Sequence, residues 1–302
     1  MDQEIKKEMT MEQETEKKQE EQVQIFQEDK WDYDYDEKGG PLKIWQAILV
    51  VCLCMLVIPF VIAIPLGIVA AMMEDPNKLL VDNAVVISLV SFLAMLVVAA
   101  IVYKKTKVSV KMEKLSPITL IGSLLLTYLA GDGISRLLAL LPLDDMYETY
   151  VEIMEASLSG NPVLVLITLV LVGPLVEELI FRGILYSSFR NRYGVWISAI
   201  LGGLVFAIAH GNIFQSLGTF AIGMILCLAY ERFNNLTVPF LMHAFNNFIA
   251  FLEIEALWKV NMLLFICITV IEIVFSIVLI KELFLVKEIN MEEISDDEVE
   301  LN

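Results

Sequence analysis

The stretch VLVLITLVLVGPLVEELIFRG, residues 163–183, begins as a run apolar enough to sit in hydrocarbon and then carries Glu177, Glu178 and Arg182. Either the run ends there, or charged groups lie inside a membrane helix. The rest of the chain decides between these readings. Of its 302 residues, 57% are hydrophobic and the mean hydropathy is +0.69. Soluble domains hold about 45–50% apolar residues. The excess here is gathered into long runs, which makes the chain an integral membrane protein.

About 20 apolar residues cross a bilayer as a helix. By that measure spans are expected near 44–73, 84–103, 115–142, 161–181, 195–210, 214–230, 239–253 and 260–284. The fold class is therefore all-α, a polytopic bundle of about eight transmembrane helices. The fifth and seventh spans are short. Pro59 and Pro65 predict a kink in the first. Residues 145–158, with Met146, Tyr150, Val151 and Met154 apolar, suggest a short amphipathic surface helix.

The net charge of −17 lies mostly in two tails. Residues 1–40 and 287–302 are acidic, polar and expected to be disordered, flanking a membrane domain over 41–286. Their charge implies neither a nucleic-acid partner nor an acidic substrate. No cleavable signal peptide is expected, because the first apolar run begins near Ile44 behind an acidic leader. Cys52, Cys54, Cys227 and Cys267 all fall in apolar runs without zinc or redox spacing and read as small hydrophobes. Lysine and arginine in short loops set orientation. YKKTKVSVKMEK, after the second span, holds five lysines, whereas LDDMYETYVEIMEASLSGNP, after the third, holds neither Lys nor Arg. With Arg190, Arg192, Arg232, Lys281 and Lys287, this predicts a multi-pass cell-membrane protein with both termini cytoplasmic.

Ionisable residues inside a membrane are costly, generally paired, and mark function. Glu178 and Arg182 are i,i+4 neighbours and can pair along one helix. Glu177 lies about 100° around the helix from Glu178 and has no cation on its own helix. A desolvated carboxylate of that kind suits general-base work. The only two histidines of the chain, His210 and His243, both sit in or beside apolar helices. Phe206 shares a face with His210, and His243 with Asn247, so imidazole and carboxamide are offered together, as an oxyanion site requires. Asp132 and Arg136 read as a buried structural pair. Gly173, Gly183, Gly202, Gly203, Gly218 and Gly223 would let the helices carrying these groups approach closely.

Glu177-Glu178-x-x-x-Arg182, then Phe206-x-x-x-His210, then His243-x-x-x-Asn247, on successive apolar segments, resembles the CPBP family. These are the CAAX prenyl endopeptidases and bacteriocin-processing enzymes, also called Abi intramembrane proteases. The resemblance covers about residues 160–255. It implies that Glu177 and His210 activate water, that His243 and Asn247 stabilise the oxyanion, and that Arg182 orients the glutamates with Glu178 as its partner. The expected function is hydrolysis of a peptide bond in a membrane-associated or lipidated substrate, through CAAX-type processing, peptide maturation or bacteriocin self-immunity. Glu177, His210 and His243 would form a His₂Glu zinc site if a metal were used. HExxH is absent, and the metal-free mechanism is favoured, with no cofactor. Competing readings are a non-catalytic scaffold on the same fold and a proton-coupled transporter using Glu177 and His210 as a relay. The intact motifs argue against the first. The lack of a repeat argues against the second. Counting residues from Arg190 and Pro239 predicts a cavity nearer the cytoplasmic face, with the membrane boundary near Arg182.

Overall fold

The computed structural model describes residues 41–73, 83–106, 116–158, 160–253 and 262–285. Both acidic tails and most of the lysine-rich segment after the second span lie outside the described residues. Among the described residues the secondary structure is helical, with no strand. Nine helices follow in order: α1 (Ile44–Ala70), α2 (Ala84–Thr106), α3 (Pro117–Leu138), α4 (Asp144–Leu158), α5 (Pro162–Arg190), α6 (Val195–Ala209), α7 (Ile213–Phe233), α8 (Thr237–Glu253) and α9 (Met262–Ile280, continued by a wide turn over Lys281–Leu285).

Six of these, α1, α2, α3, α5, α7 and α9, are long and apolar enough to cross a membrane. All eight expected spans are helical, but α6 and α8, at 15 and 17 residues, are shorter than that measure requires. The ninth helix is the amphipathic α4, found where residues 145–158 predicted it. In α1 the interruption is a π turn over Leu53–Val57, immediately ahead of Pro59. Proline offers no N–H to the preceding turn, and the ladder widens there.

The answer to the opening stretch is that α5 does not stop at its charges. Expected to end near 181, it runs 29 residues to Arg190. Glu178 and Arg182 are tolerated there because they pair with each other inside the bundle. Two π segments, Ile167–Val172 and Leu179–Tyr186, bracket the short α turn that holds Glu177 and Glu178. Such wide turns re-aim side chains and recur at functional sites.

Glycines set how closely α5, α6 and α7 approach their neighbours. A Cβ on Gly203 would lie 2.8 Å from the Phe220 carbonyl, and one on Gly223 would lie 3.0 Å from the Gly203 Cα. Gly202 faces Cys227, Gly183 faces Tyr103 and Gly173 faces Phe92 at similarly short range. Gly218 is the exception, with only Ile134 at 4.0 Å; it borders a cavity instead. Two apolar clusters flank these contacts. One centres on Leu226, Tyr230 and Met242, the other on Ile180, Phe181 and Leu185.

At the end of α5, Arg190 is buried and paired with Glu231 at 2.8 Å, and Tyr186 donates its hydroxyl to the same carboxylate. Arg190 is therefore an internal ion-pair member rather than a free loop charge. Arg192, two residues on, is exposed.

Candidate active site

The charged heart of the bundle is a bridge across four helices. Glu178, 1% exposed, accepts at Oε1 from Arg182 Nη1 at 2.8 Å and from His243 Nδ1 at 2.7 Å. Arg182, wholly buried, donates through Nη2 to the Gly223 carbonyl at 3.1 Å. Its guanidinium lies 4.5 Å from the centroid of the Phe206 ring, a cation–π contact in a dry setting. Glu178 is thus more than a partner for Arg182. It ties α5 to α8, and Arg182 ties α5 to α6 and α7.

Glu177 points elsewhere, as its helical offset predicted. Its side chain is 14% exposed and lines a cavity of about 590 Å³ together with Phe206, His210, His243, Asn246 and Asn247. Glu177 Oε2 lies 3.7 Å from His243 Nε2. His243 therefore stands between two carboxylates, one on each ring nitrogen. With Nδ1 directed at Glu178, the proton on that nitrogen is assigned by its partner and Nε2 faces Glu177.

His210 closes α6 as its C-terminal cap residue. Its Nδ1 lies 2.8 Å from the Phe206 carbonyl, one turn back. A carbonyl can only accept, so Nδ1 carries a proton, and Nε2 is the ring nitrogen that this bond leaves unengaged. Phe206 stands edge-on to both imidazoles, with centroids 4.7 Å from His210 and 5.6 Å from His243. Beyond its place in the motif, this ring is the spacer that holds the two histidines and Arg182 apart.

Asn247 donates Nδ2 to the Leu169 carbonyl at 2.9 Å. That carbonyl lies within the first π segment of α5, where the helical ladder is widened. The neighbouring Asn246 was not singled out in the sequence. It also lines the cavity, and its Oδ1 lies 2.8 Å from where a Cβ on Gly131 would sit. Adjacent helix positions face about 100° apart, and the sequence alone does not say that both asparagines look into one space.

Asp132 and Arg136 form the expected pair at 2.8 Å, with Glu272 of α9 at 3.5 Å from the same guanidinium and the Phe265 ring beside it. Both also line the cavity. The structure brings residues of the three motif segments, together with this pair, to the lining of one cavity.

A His₂Glu zinc centre would need Glu177, His210 and His243 gathered around one point. Among the described residues no group of three or more His, Cys, Asp or Glu side chains is disposed to hold a metal ion.

Residues 159–249 match the family model described as type II CAAX prenyl endopeptidase Rce1-like. The chain is 38% identical to a 24.3 kDa protein of Escherichia coli over 87 residues, 27% of this chain and 40% of that protein. It is 27% identical over 93 residues to YdiL of Bacillus subtilis (strain 168), whose name describes a membrane peptidase; these are 30% of this chain and 38% of YdiL. It is 30% identical over 83 residues to the membrane-embedded CAAX protease MroQ of Staphylococcus aureus (strain USA300), 26% of this chain and 34% of MroQ. The matched region thus spans well under half the length of each of these relatives. No solved structure matches the chain. The matched segment contains Glu177, Glu178, Arg182, His210, His243 and Asn247, and over residues 159–249 the chain is similar to the type II CAAX prenyl endopeptidases.

Proposed function

We propose that the protein is an intramembrane endopeptidase in which Glu177 and His210 activate water against a peptide carbonyl. The observation that supports this best is the division of labour between the adjacent glutamates. Glu178 is sealed against Arg182 and His243, while Glu177 faces the cavity beside His243 Nε2. A general base must reach both solvent and substrate, and of the two adjacent glutamates it is Glu177 that lines the cavity.

In the proposed reaction Glu177 takes a proton from water, and the resulting hydroxide adds to the scissile carbonyl. The tetrahedral oxyanion is held by His243 and Asn247. The C–N bond then breaks as that same proton is delivered to the leaving amine, from the Glu177 carboxyl directly or after passing to His210 Nε2. For His243 Nε2 to donate to the oxyanion while Nδ1 donates to Glu178, the ring must carry both protons. Glu177 and Glu178 supply the opposite charge beside such a ring. Asn247 keeps one amide hydrogen for Leu169 and has a second to offer. Preorganised donors of this kind lower the barrier because they need no reorientation as charge develops. The substrate is a membrane-associated peptide or protein, lipidated or not, and the reaction proceeds without a metal ion.

The test is peptide cleavage by the reconstituted protein and by Glu177→Gln and His210→Ala, each with and without chelator. Cleavage by the parent, abolished in both variants and insensitive to chelator, is the expected result. Parent-level cleavage by both variants would overturn the assignment. Loss with chelator and recovery with zinc would overturn the metal-free reaction alone.

A further inference from the structure

Interhelical contacts fix which helix ends share a side of the bundle. Gly122, early in α3, faces Leu283 at the end of α9, and Gly133 faces Glu272 and Ile273, so α3 and α9 run antiparallel. Phe233, ending α7, meets Phe284 with centroids 6.2 Å apart. Arg190, ending α5, pairs with Glu231 of α7. Gly183 of α5 packs on Tyr103, near the end of α2. One end of the bundle therefore gathers the start of α3 and the ends of α2, α5, α7 and α9.

That end carries the cations. Lys104 and Lys105 close α2, Arg192 follows α5, Arg232 closes α7 and Lys281 follows α9. In sequence, Lys107, Lys111 and Lys114 come next after α2. The cavity extends towards the other end. From Glu177 and His243 it reaches the last turns of α3, the start of α7 at Phe214, and α4, whose Tyr147, Tyr150 and Glu155 border it. Tyr147 and Tyr150 both pack on Phe214, with centroids 5.3 and 5.4 Å apart. The sequence from Ala139 to Asn161, which contains α4, has five acidic side chains and no lysine or arginine. Lys/Arg bias in short loops places the cation-bearing end in the cytoplasm.

We propose that the cavity opens on the extracytoplasmic side of the membrane and admits its substrate from that side, beneath α4. The substrate class is then a peptide segment displayed at, or already delivered to, the outer face of the membrane. A cytoplasmic tail would have to pass the basic end of the bundle to reach Glu177. The residue count that predicted a cytoplasmic-side cavity started from Arg190 and Pro239 and put the membrane boundary near Arg182. Arg182 is instead wholly buried, and Glu177 lies in the middle of the 29-residue α5. The word substrate rests on the endopeptidase reading above; the sidedness does not.

The two are separated by a labelling experiment that needs no activity. Single cysteines are introduced as Glu155→Cys on α4, Gly218→Cys on the cavity wall and Arg192→Cys at the opposite end, with native cysteines accounted for in the parent chain. Intact cells are treated with a membrane-impermeant maleimide before and after permeabilisation. Glu155→Cys and Gly218→Cys should label in intact cells and Arg192→Cys only after permeabilisation. The reverse pattern, or labelling of Gly218→Cys only after permeabilisation, overturns the proposal. Two mouth-side positions guard against one variant failing to fold. External labelling with no peptide cleavage would sink the protease reading and leave the sidedness standing.

Discussion

His243 Nδ1 lies 2.7 Å from Glu178 Oε1, across 65 residues of chain and between two helices. This bond joins the packing of the bundle to the orientation of a cavity-facing imidazole, and it makes the adjacent glutamates experimentally separable. Glu178→Ala leaves Arg182 as a buried cation without its carboxylate. Breaking one side of a buried pair costs about 3–5 kcal/mol. Thermal unfolding in detergent should show that loss for Glu178→Ala and a much smaller one for Glu177→Gln. Cleavage should be lost in both. Equal stability of the two variants would contradict the bridge.

Asn247 offers a second separation, between holding the fold and holding an oxyanion. Asn247→Ala leaves the Leu169 carbonyl without its donor, at a cost of about 1–3 kcal/mol for a buried acceptor. If it also donates to the oxyanion, kcat should fall by about 10²–10³ with KM little changed. A fall in melting temperature with kcat intact would reduce Asn247 to a structural role.

The helix–helix approach at Gly203 should tolerate no methyl group. Gly203→Ala places a Cβ 2.8 Å from the Phe220 carbonyl and 2.9 Å from Met224 Cγ, and overpacking of this kind costs about 1–3 kcal/mol. Gly218→Ala, with open space beside it, should unfold at the parent temperature. The pair is read by thermal unfolding under identical detergent conditions.

The acid-rich α4 beside the cavity predicts a charge preference. Glu155 and Glu177 border the space, and among the described residues the only lysine or arginine lining it, Arg136, is already paired with Asp132. Cationic peptides should therefore be cleaved with higher kcat/KM than matched anionic ones at low ionic strength. The difference should narrow as salt screens the attraction. No dependence on peptide charge in low salt would count against entry past α4.

What the sequence discloses is what helical periodicity discloses. Glu178 with Arg182, Phe206 with His210, and Asp132 with Arg136 are one turn apart, and each pair is found in contact. Partners far apart in the chain are not legible that way. The bond from His243 to Glu178 and that from Asn247 to Leu169 depend on how α8 is rotated against α5, which no spacing records. The π segments are not legible in helical spacing either, although those ending at Val57 and Val172 each stand two residues ahead of a proline, Pro59 and Pro174. The length of α5 was misjudged because charge was read as the end of the apolar run. The bundle interior supplied what water would otherwise have supplied.

Gly223 receives the Arg182 guanidinium on its carbonyl and the Gly203 backbone against its Cα. A residue with no side chain thus belongs at once to the packing seam and to the charge network. In an unbiased screen for lost activity, substitutions at Gly223 should cluster with those at Glu177 and His243. A reader of the hit list alone would take it for a catalytic residue.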